Sequence, residues 1–260
     1  MGFETISIER VEGMAILKLN RPPVNVLSER LYLELYEALE ELERDDATEA
    51  LIVSASGEKA FSAGLDVKDV AGRDTKGILH FLWNVSRRSL TKLSCFNKPT
   101  VAAVFGLVLG GGLELVLCCD LRVGSEDAVL GFPEINLGII PGSGGTVRLP
   151  RIVGMAKAKE MLLTGETITA EEALRAGLLT KVVQKERLME EALSLAKKLA
   201  SKPKVAFGLL KRSIETGIDL DVSSALTFEL DSFAIAYSSE DGREGLRAFI
   251  EKRKPEFKGR

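Results

Sequence analysis

The chain has 260 residues, of which 45% are hydrophobic and 28% charged, and its net charge at pH 7 is −3. It is long enough for one large domain with an appendage, and its near-neutral charge excludes the broad basic face of a nucleic-acid or membrane-surface binder. Its three cysteines have neither metal-ligand nor disulfide spacing. A single histidine, His80, argues against a histidine triad or a polyhistidine metal site. Without a signal-like or membrane-spanning run, we expect a cytoplasmic protein.

The first part of the chain alternates between strand and helix patterns. "ETISIERV" and "MAILKLN" flank Glu12-Gly13 and predict a hairpin. Ser28 is a candidate N-cap for the helix "ERLYLELYEALEELERDD". The apolar positions of that helix have helical spacing: Leu31, Leu35, Leu39 and Leu42. "ALIVSAS" and "PTVAAVFG" predict strands buried on both faces. Between them we expect a loop, "FSAGLDVKDVAGRDTKG", and a helix, "ILHFLWNVSRRSLTKL".

The remainder is rich in glycine and proline at first and helical later. "LELVLCCDLRVGSED" predicts a short buried helix followed by a strand, and "AVLGFPEINLGIIPGSGGTVRLPRIVG" is punctuated by turn residues. Thr169 and Glu172 have the spacing of a capping box, and Gly177 is placed to end that helix. From about residue 187 the pattern is helical and charged. We therefore predict an α/β core, residues 1–195, and a helical C-terminal region, residues 196–260.

The glycine-rich stretches do not match the common nucleotide-binding motifs. "GGGLEL" and "GSGGTV" both lack the last glycine of G-x-G-x-x-G, and there is no P-loop pattern. "AFSAG" is one residue short of the G-x-S-x-G elbow, and Ser62 has no convincing histidine partner. Nucleotide cradling and serine nucleophilic catalysis are therefore not supported.

Two glutamates stand in apolar, glycine-rich surroundings. Glu114 follows three consecutive glycines in "GGGLEL", and Glu134 lies in "GFPEINLG". Glycine costs about 1 kcal/mol relative to alanine in a helix, so the triplet indicates close packing or a ligand at the backbone. Each glutamate, taken alone, can be explained as a helix cap or as the partner of a buried arginine such as Arg148. Two in one region favour acid–base chemistry, because burial raises carboxyl pKa values.

Four segments in order resemble one family: "FSAGLDVKDV", "NKPTVAAVFGLVLGGGLEL", "FPEINLGIIPGSGGTVRLPRIVG" and "EDGREGLRAFIEKRKPEF". From about residue 4 to residue 258 the chain resembles the crotonase (enoyl-CoA hydratase/isomerase) superfamily. The resemblance implies an α/β fold, a spiral of repeated ββα units with a C-terminal helical trimerisation region. It also implies a homotrimer or a hexamer built as a dimer of trimers. The implied partner is an acyl-CoA thioester, with no nucleic acid and no membrane.

The resemblance also implies an active site. The N–H groups of Leu65 and Gly111 would form an oxyanion hole for the thioester enolate, with each donor contributing about 3 kcal/mol. A side chain at Gly111 would obstruct the thioester. Glu114 would activate water, and Glu134 would supply the α-proton. No cofactor is implied beyond the CoA of the substrate, and no metal. The implied substrate contacts are Ala63, Leu65, Asp66, Val67, Lys68, Gly111, Pro133 and Gly142.

The glutamate pair favours hydration of a 2-enoyl-CoA to a 3-hydroxyacyl-CoA, the reaction of a hydro-lyase. "FSAGLD" with "PPVN" leaves open a double-bond isomerase or a hydratase of a cyclic dienoyl-CoA. An RNA- or protein-binding homologue is the non-enzymatic alternative, against which the net charge and the glutamates argue. Lys252 is a candidate for a CoA phosphate, or a solvated lysine. His80, Phe81, Leu82 and Trp83 fall where the family lines its acyl pocket, although Phe81 and Trp83 also suit a core.

Overall fold

The first part of the chain forms two β-sheets. The structure is a computed structural model that describes residues 2–260. Contacts divide the chain into two units, Met1–Ala196 and Lys197–Arg260. The larger sheet has six strands in the order β1 (Ile6–Val11), β2 (Met14–Leu19), β3 (Ala50–Ala55), β5 (Thr100–Val104), β7 (Leu121–Ser125) and β10 (Lys181–Val183). The smaller sheet has four strands in the order β4 (Ala60–Ser62), β6 (Leu107–Leu109), β8 (Val129–Gly131) and β9 (Thr167–Thr169).

Helices connect these strands: α1 (Glu29–Arg44), α2 (Val67–Val70), α3 (Thr75–Phe81), α4 (Arg87–Ser94), α5 (Gly111–Val116), α6 (Gly145–Thr164) and α7 (Ala170–Arg175). α8 (Leu188–Ala200) follows β10, and the boundary between the two units falls within it. Successive strands go to different sheets: β3, β5 and β7 to the larger one, and β4, β6 and β8 to the smaller one. A helix follows each of these strand pairs. This alternation confirms the expected α/β fold of repeated ββα units.

Parallel pairing explains why the central strands are buried and mostly apolar. In the larger sheet, β2, β3, β5, β7 and β10 pair in parallel, and β1 pairs antiparallel with β2. Every residue of β3 and β5 is buried, because parallel strands covered on both faces cannot alternate with polar residues. The carboxyl ends of the strands in both sheets lead into the loops that carry the glycine-rich motifs.

Several local predictions are confirmed. Val11 pairs with Met14 across the predicted hairpin. The hydroxyl of Ser28 accepts a hydrogen bond from the N–H of Leu31 and caps α1. The predicted capping box is present at the start of α7. The leucines that define the buried face of α1 are all at most 1% exposed.

Three local predictions need correction. The predicted loop after β3 contains β4 and the short helix α2. The predicted long helix is continuous but contains a π-helical turn, Leu82–Ser86, between α3 and α4. The stretch with many turn residues contains the start of α6, which includes Pro150 and bends at Gly154, where φ is 77°.

The second unit consists of helices. They are α9 (Lys204–Gly217), α10 (Val222–Ser238) and α11 (Glu240–Glu251). One face of α10 exposes large apolar side chains at helical spacing: Leu226, Leu230, Phe233 and Tyr237. At the C-terminus, the carboxylate of Asp241 accepts hydrogen bonds from the N–H groups of Lys258 and Gly259. Within residues 2–260, no helix has the length and apolar character that crossing a membrane requires.

Candidate active site

The glycine triplet, residues 110–112, is bare because three different groups pack against it. A Cβ atom added at the three positions in turn would lie 2.7 Å from Glu134 Oε1, 3.1 Å from Tyr32 Oη and 2.6 Å from Ser62 Cβ. Two of these distances are shorter than real Cβ contacts, and the third is tight. Close packing therefore explains why all three positions are glycine. This reason adds to the expectation that a side chain at Gly111 would obstruct a thioester. The triplet brings the start of α5 against Glu134.

Two backbone N–H groups meet beside this triplet. A Cβ atom on Gly111 would lie 3.6 Å from Leu65 N, and one on Gly64 would lie 3.5 Å from Gly111 N. No hydrogen bond among residues 2–260 engages the N–H of Leu65 or that of Gly111. Gly111 is the first residue of α5, where an N–H has no partner within the helix, and Leu65 is half-buried, so the two neighbouring donors are open to an acceptor from outside the chain.

The segment before α1 holds the Leu65 N–H in place. The Ala63 N–H donates to Val24 O at 2.8 Å, the Leu27 N–H to Gly64 O at 2.8 Å, and the Asp66 N–H to Leu27 O at 3.0 Å. Leu65 is thus bracketed by hydrogen bonds on both sides while its own N–H stays unused. The backbone geometry of one candidate donor is fixed by pairing with residues 24–27.

Asn25 supports this segment and was missed by the sequence analysis. It is fully buried, its φ is 47°, and its Nδ2 donates to Ser56 O and Ala60 O, both at 2.9 Å. Asparagine tolerates this left-handed conformation better than most residues. The asparagine in "PPVN" was the available signal for this role, but that segment was interpreted only in terms of the reaction type. Ser62 donates to Asn25 O at 2.8 Å, a structural contact that agrees with its exclusion as a nucleophile.

Glu114 is buried in the first turn of α5, at 3% exposure. Its Oε1 accepts hydrogen bonds from the N–H of Ser143 at 2.7 Å and of Gly145 at 2.8 Å. Burial raises the pKa of Glu114, while these N–H groups and the charge of Arg148 act in the opposite direction. The capping alternative is correct in part, because Gly145 is the first residue of α6. The same contacts fix the orientation of the carboxylate.

Glu134 lies in a short 3₁₀ helix, Pro133–Leu137. Its Oε2 is buried and has no hydrogen-bond partner among the described residues. Burial raises the pKa of Glu134 to about 7; a hydrogen bond from its own backbone N–H opposes the rise, and the charge of Glu114 adds to it. A carboxyl group with a pKa near neutral carries a proton for part of the time at physiological pH. It is therefore suited to give or take a proton.

Tyr32 is a further polar group at this site that the sequence analysis did not find. It is 1% exposed, and its ring makes an edge contact with Phe81 at 6.0 Å between centroids. Burial raises the pKa of Tyr32 well above its usual value, and the charges of Glu114 and Glu134 contribute. The phenol is therefore neutral. A tyrosine next to the leucine stripe of α1 was the available signal.

The remaining predicted contacts are more spread out. Pro133 begins the turn that carries Glu134, and a Cβ atom on Gly142 would lie 2.9 Å from Leu82 Cδ2. Asp66 caps α2 and forms an ion pair with Arg21 at 3.1 Å. Val67 and Lys68 follow Asp66 on α2 and are exposed. Lys252, the candidate for a CoA phosphate, is exposed at the end of α11 in the second unit.

The helix expected to line an acyl pocket is only partly core. Phe81 is fully buried, whereas Trp83 is 65% exposed with the Arg87 guanidinium 4.1 Å from its ring centroid. The core interpretation is therefore correct for Phe81 and wrong for Trp83. His80 is exposed, and its Nδ1 lies 3.1 Å from Asn84 Nδ2. Across residues 2–260, no group of three or more His, Cys, Asp or Glu side chains is arranged to hold a metal ion.

Comparison with known proteins gives a consistent result. A family model described as enoyl-CoA hydratase/isomerase matches residues 9–260. The chain is 40% identical to a crotonyl-CoA hydratase of Syntrophomonas wolfei, with 99% of each chain covered. It is 39% identical to a short-chain-enoyl-CoA hydratase of Clostridium acetobutylicum, with full coverage of both. Among solved structures, an enoyl-CoA hydratase from Bacillus anthracis superposes with a TM-score of 0.92 at 39% identity, covering 99% of this chain and 100% of that one.

Proposed function

Because this chain belongs to the enoyl-CoA hydratase/isomerase family, we propose that it is a hydro-lyase that adds water across the 2,3 double bond of an enoyl-CoA. The family resemblance carried by the four sequence segments is thereby confirmed. One observation carries the proposal for the site: two unused N–H groups lie beside the buried Glu114 and beside Glu134, whose Oε2 is buried and without a partner among the described residues. The product is a 3-hydroxyacyl-CoA.

The first step is attack of water on C3 of the enoyl group. Ionised Glu114 takes a proton from the water as its oxygen bonds to C3, and the π electrons of the double bond move toward the thioester oxygen. The N–H groups of Leu65 and Gly111 donate hydrogen bonds to the enolate oxygen that forms. Such preorganised donors are worth about 3 kcal/mol each in the transition state. The chain's backbone thus stabilises the charge, and a carboxylate directs the nucleophile.

The second step delivers a proton to C2. Glu134 in its acid form protonates C2, the electrons return from the enolate oxygen, and the thioester carbonyl is restored. The proton that Glu114 took from water then balances the one that Glu134 gave. The pKa of about 7 at Glu134 supports this assignment, since it keeps the acid form available near neutral pH. The two N–H groups on Glu114 Oε1 favour its ionised form.

We propose that no cofactor takes part beyond the CoA moiety of the substrate. Every step above uses a carboxyl group or a backbone N–H of this chain. The exposed segment that follows Leu65 is proposed to bind the CoA moiety through Asp66, Val67 and Lys68. The residue-level assignments rest on the geometry around the glycine triplet and on the motifs that match the family.

The test is turnover of crotonyl-CoA, followed by the loss of absorbance of its conjugated thioester. We expect turnover by the wild type and a loss of about 10²-fold or more in kcat for Glu114→Gln. Glu126→Gln, at an exposed glutamate, is the control and should leave the rate unchanged. Failure to hydrate any short, medium or cyclic 2-enoyl-CoA would contradict the proposed function.

We also propose that the chain forms homotrimers, alone or paired as hexamers. The exposed apolar face of α10 supports an assembled state, because contiguous apolar surface on a monomer is usually covered by a partner. Light scattering coupled to gel filtration measures the mass directly. We expect three or six times the chain mass of 28.2 kDa. A monomer at working concentration would contradict this proposal.

A further inference from the structure

The π-helical turn, Leu82–Ser86, has no part in the mechanism described so far. Such turns are rare and occur frequently at functional sites, because the extra residue redirects side chains and backbone groups. Here the turn joins α3 to α4 without a break in the helical path. It ends at Ser86, whose side chain is 1% exposed. The turn therefore places a hydroxyl group inside the protein.

The Ser86 hydroxyl contacts the loop that holds Glu114. Its Oγ lies 2.8 Å from Ser143 Oγ, and it also donates to Leu82 O at 3.3 Å. Either hydroxyl can be the donor between the two serines. The backbone N–H of the same Ser143 donates to Glu114 Oε1 at 2.7 Å. Ser143 is thus held at its side chain by the π-helical turn and at its N–H by Glu114.

Packing reinforces this connection. A Cβ atom on Gly142 would lie 2.9 Å from Leu82 Cδ2. The loop and the π-helical turn are therefore too close for a side chain at position 142. Ser143 is itself 6% exposed. Little water can therefore reach this position to replace the hydrogen bond if the Ser86 hydroxyl is removed. In such surroundings, removing one hydroxyl leaves its buried partner without a hydrogen bond, which is unfavourable.

We propose that Ser86 is a positioning residue for Glu114, acting through the hydroxyl of Ser143 to fix the N–H that binds Glu114 Oε1. This inference rests on the proposed role of Glu114 as the base. Removal of the Ser86 hydroxyl frees the 143 loop to shift, which weakens the hydrogen bond to the carboxylate. Two consequences follow: Glu114 is less well aimed at the water, and its ionised form loses stabilisation.

The other groups around Glu114 do not touch Ser86. Glu134 and Tyr32 face Glu114 across the glycine triplet, and Arg148 acts on it from α6. Cys118 Sγ donates to the backbone oxygen of Glu114 at 3.2 Å. Arg148 Nη1 also donates to Ser143 O at 3.3 Å, and the Gly145 N–H donates to the same Glu114 Oε1 at 2.8 Å. A change in the titration of Glu114 therefore reports on the position of the loop that carries Ser143 and Gly145.

The experiment compares Ser86→Ala with Ser54→Ala. Ser54 is an equally buried serine in β3 whose hydroxyl donates to Ala103 O at 2.9 Å. We expect Ser86→Ala to lower kcat about five- to tenfold with little change in KM, and to move the acid limb of the pH profile upward by about half a unit. Ser54→Ala should keep both kcat and the acid limb. A Ser86→Ala enzyme that is less stable but has the wild-type kcat and acid limb would overturn the inference.

A second variant and a second readout keep the test independent of the reaction. Ser143→Ala should match Ser86→Ala, and the double variant should be no worse than either one, since the two hydroxyls share one hydrogen bond. The pKa of Glu114 can also be measured by carbon-13 NMR of the labelled carboxyl groups, with Glu114→Gln identifying the signal. It should rise in Ser86→Ala even if the wild type hydrates no enoyl-CoA, and an unchanged value would overturn the inference. The NMR measurement can therefore refute this inference independently of the proposed function.

Discussion

Glu134 determines the alkaline limb of activity if it donates the α-proton. Burial raises its pKa to about 7, and the hydration reaction needs its protonated form. The sign follows directly: as pH rises through 7 the carboxyl group ionises and the rate falls. Each pH unit above the pKa lowers the protonated fraction about tenfold, so kcat/KM about two units above it is about 100-fold below its plateau.

Glu134→Gln tests this reasoning. The variant should be slower than the wild type by about 10²-fold or more, and its residual hydration should no longer fall at alkaline pH. The assay is the absorbance loss of crotonyl-CoA from about pH 5.5 to about pH 9.5, in buffers of constant ionic strength. Glu166→Gln, at an exposed glutamate, should keep the wild-type profile. An alkaline limb with an unchanged midpoint in Glu134→Gln would refute the assignment.

Two further predictions concern packing and stability. Gly110→Ala adds a methyl group 2.7 Å from Glu134 Oε1 at a φ of 51°, and should lower kcat tenfold or more; Gly138→Ala, with a φ of 73° and no atom within 4 Å, should keep kcat. Equal losses in steady-state assays would contradict the contact. Although burial opposes it, hydrogen bonds mainly from Thr5 lower the pKa of Glu34 from 4.5 to about 2. Glu34→Gln should therefore cost about 3 kcal/mol of unfolding free energy at neutral pH, a difference lost as pH falls from 4.5 toward 2 in urea titrations. A pH-independent difference would contradict it.

The parts of the fold that were predictable are those with local signals. The leucine stripe and Ser28 define α1, and uninterrupted apolar runs define β3 and β5, because the pattern of burial is written directly into them. The three-residue strand β4 is too short for any periodicity. α6 was obscured by Pro150 and Gly154, which normally end helices but here lie within one and at its bend.

The sequence predicts which segments form the candidate site, but not which residues contact each other within it. The motifs supplied Leu65, Gly111 and the two glutamates, but only the structure shows what packs on the glycine triplet. Tyr32 reaches Gly111 from α1, about 80 residues away in sequence, so no local pattern connects the two. The contact between the π-helical turn and the 143 loop is equally remote in sequence. Long-range packing of this kind is decided by tertiary structure, which propensity and spacing do not encode.

Isotope incorporation from labelled water tests the central claim most directly. The purified protein is incubated with crotonyl-CoA in water enriched in deuterium and oxygen-18, and the product is examined by mass spectrometry and NMR. The account predicts one oxygen-18 at C3 and one deuterium at C2 of a 3-hydroxyacyl-CoA, and Glu114→Gln should incorporate both about 10²-fold or more slowly. Deuterium in the acyl chain without oxygen-18 at C3 would indicate double-bond migration and would contradict the account.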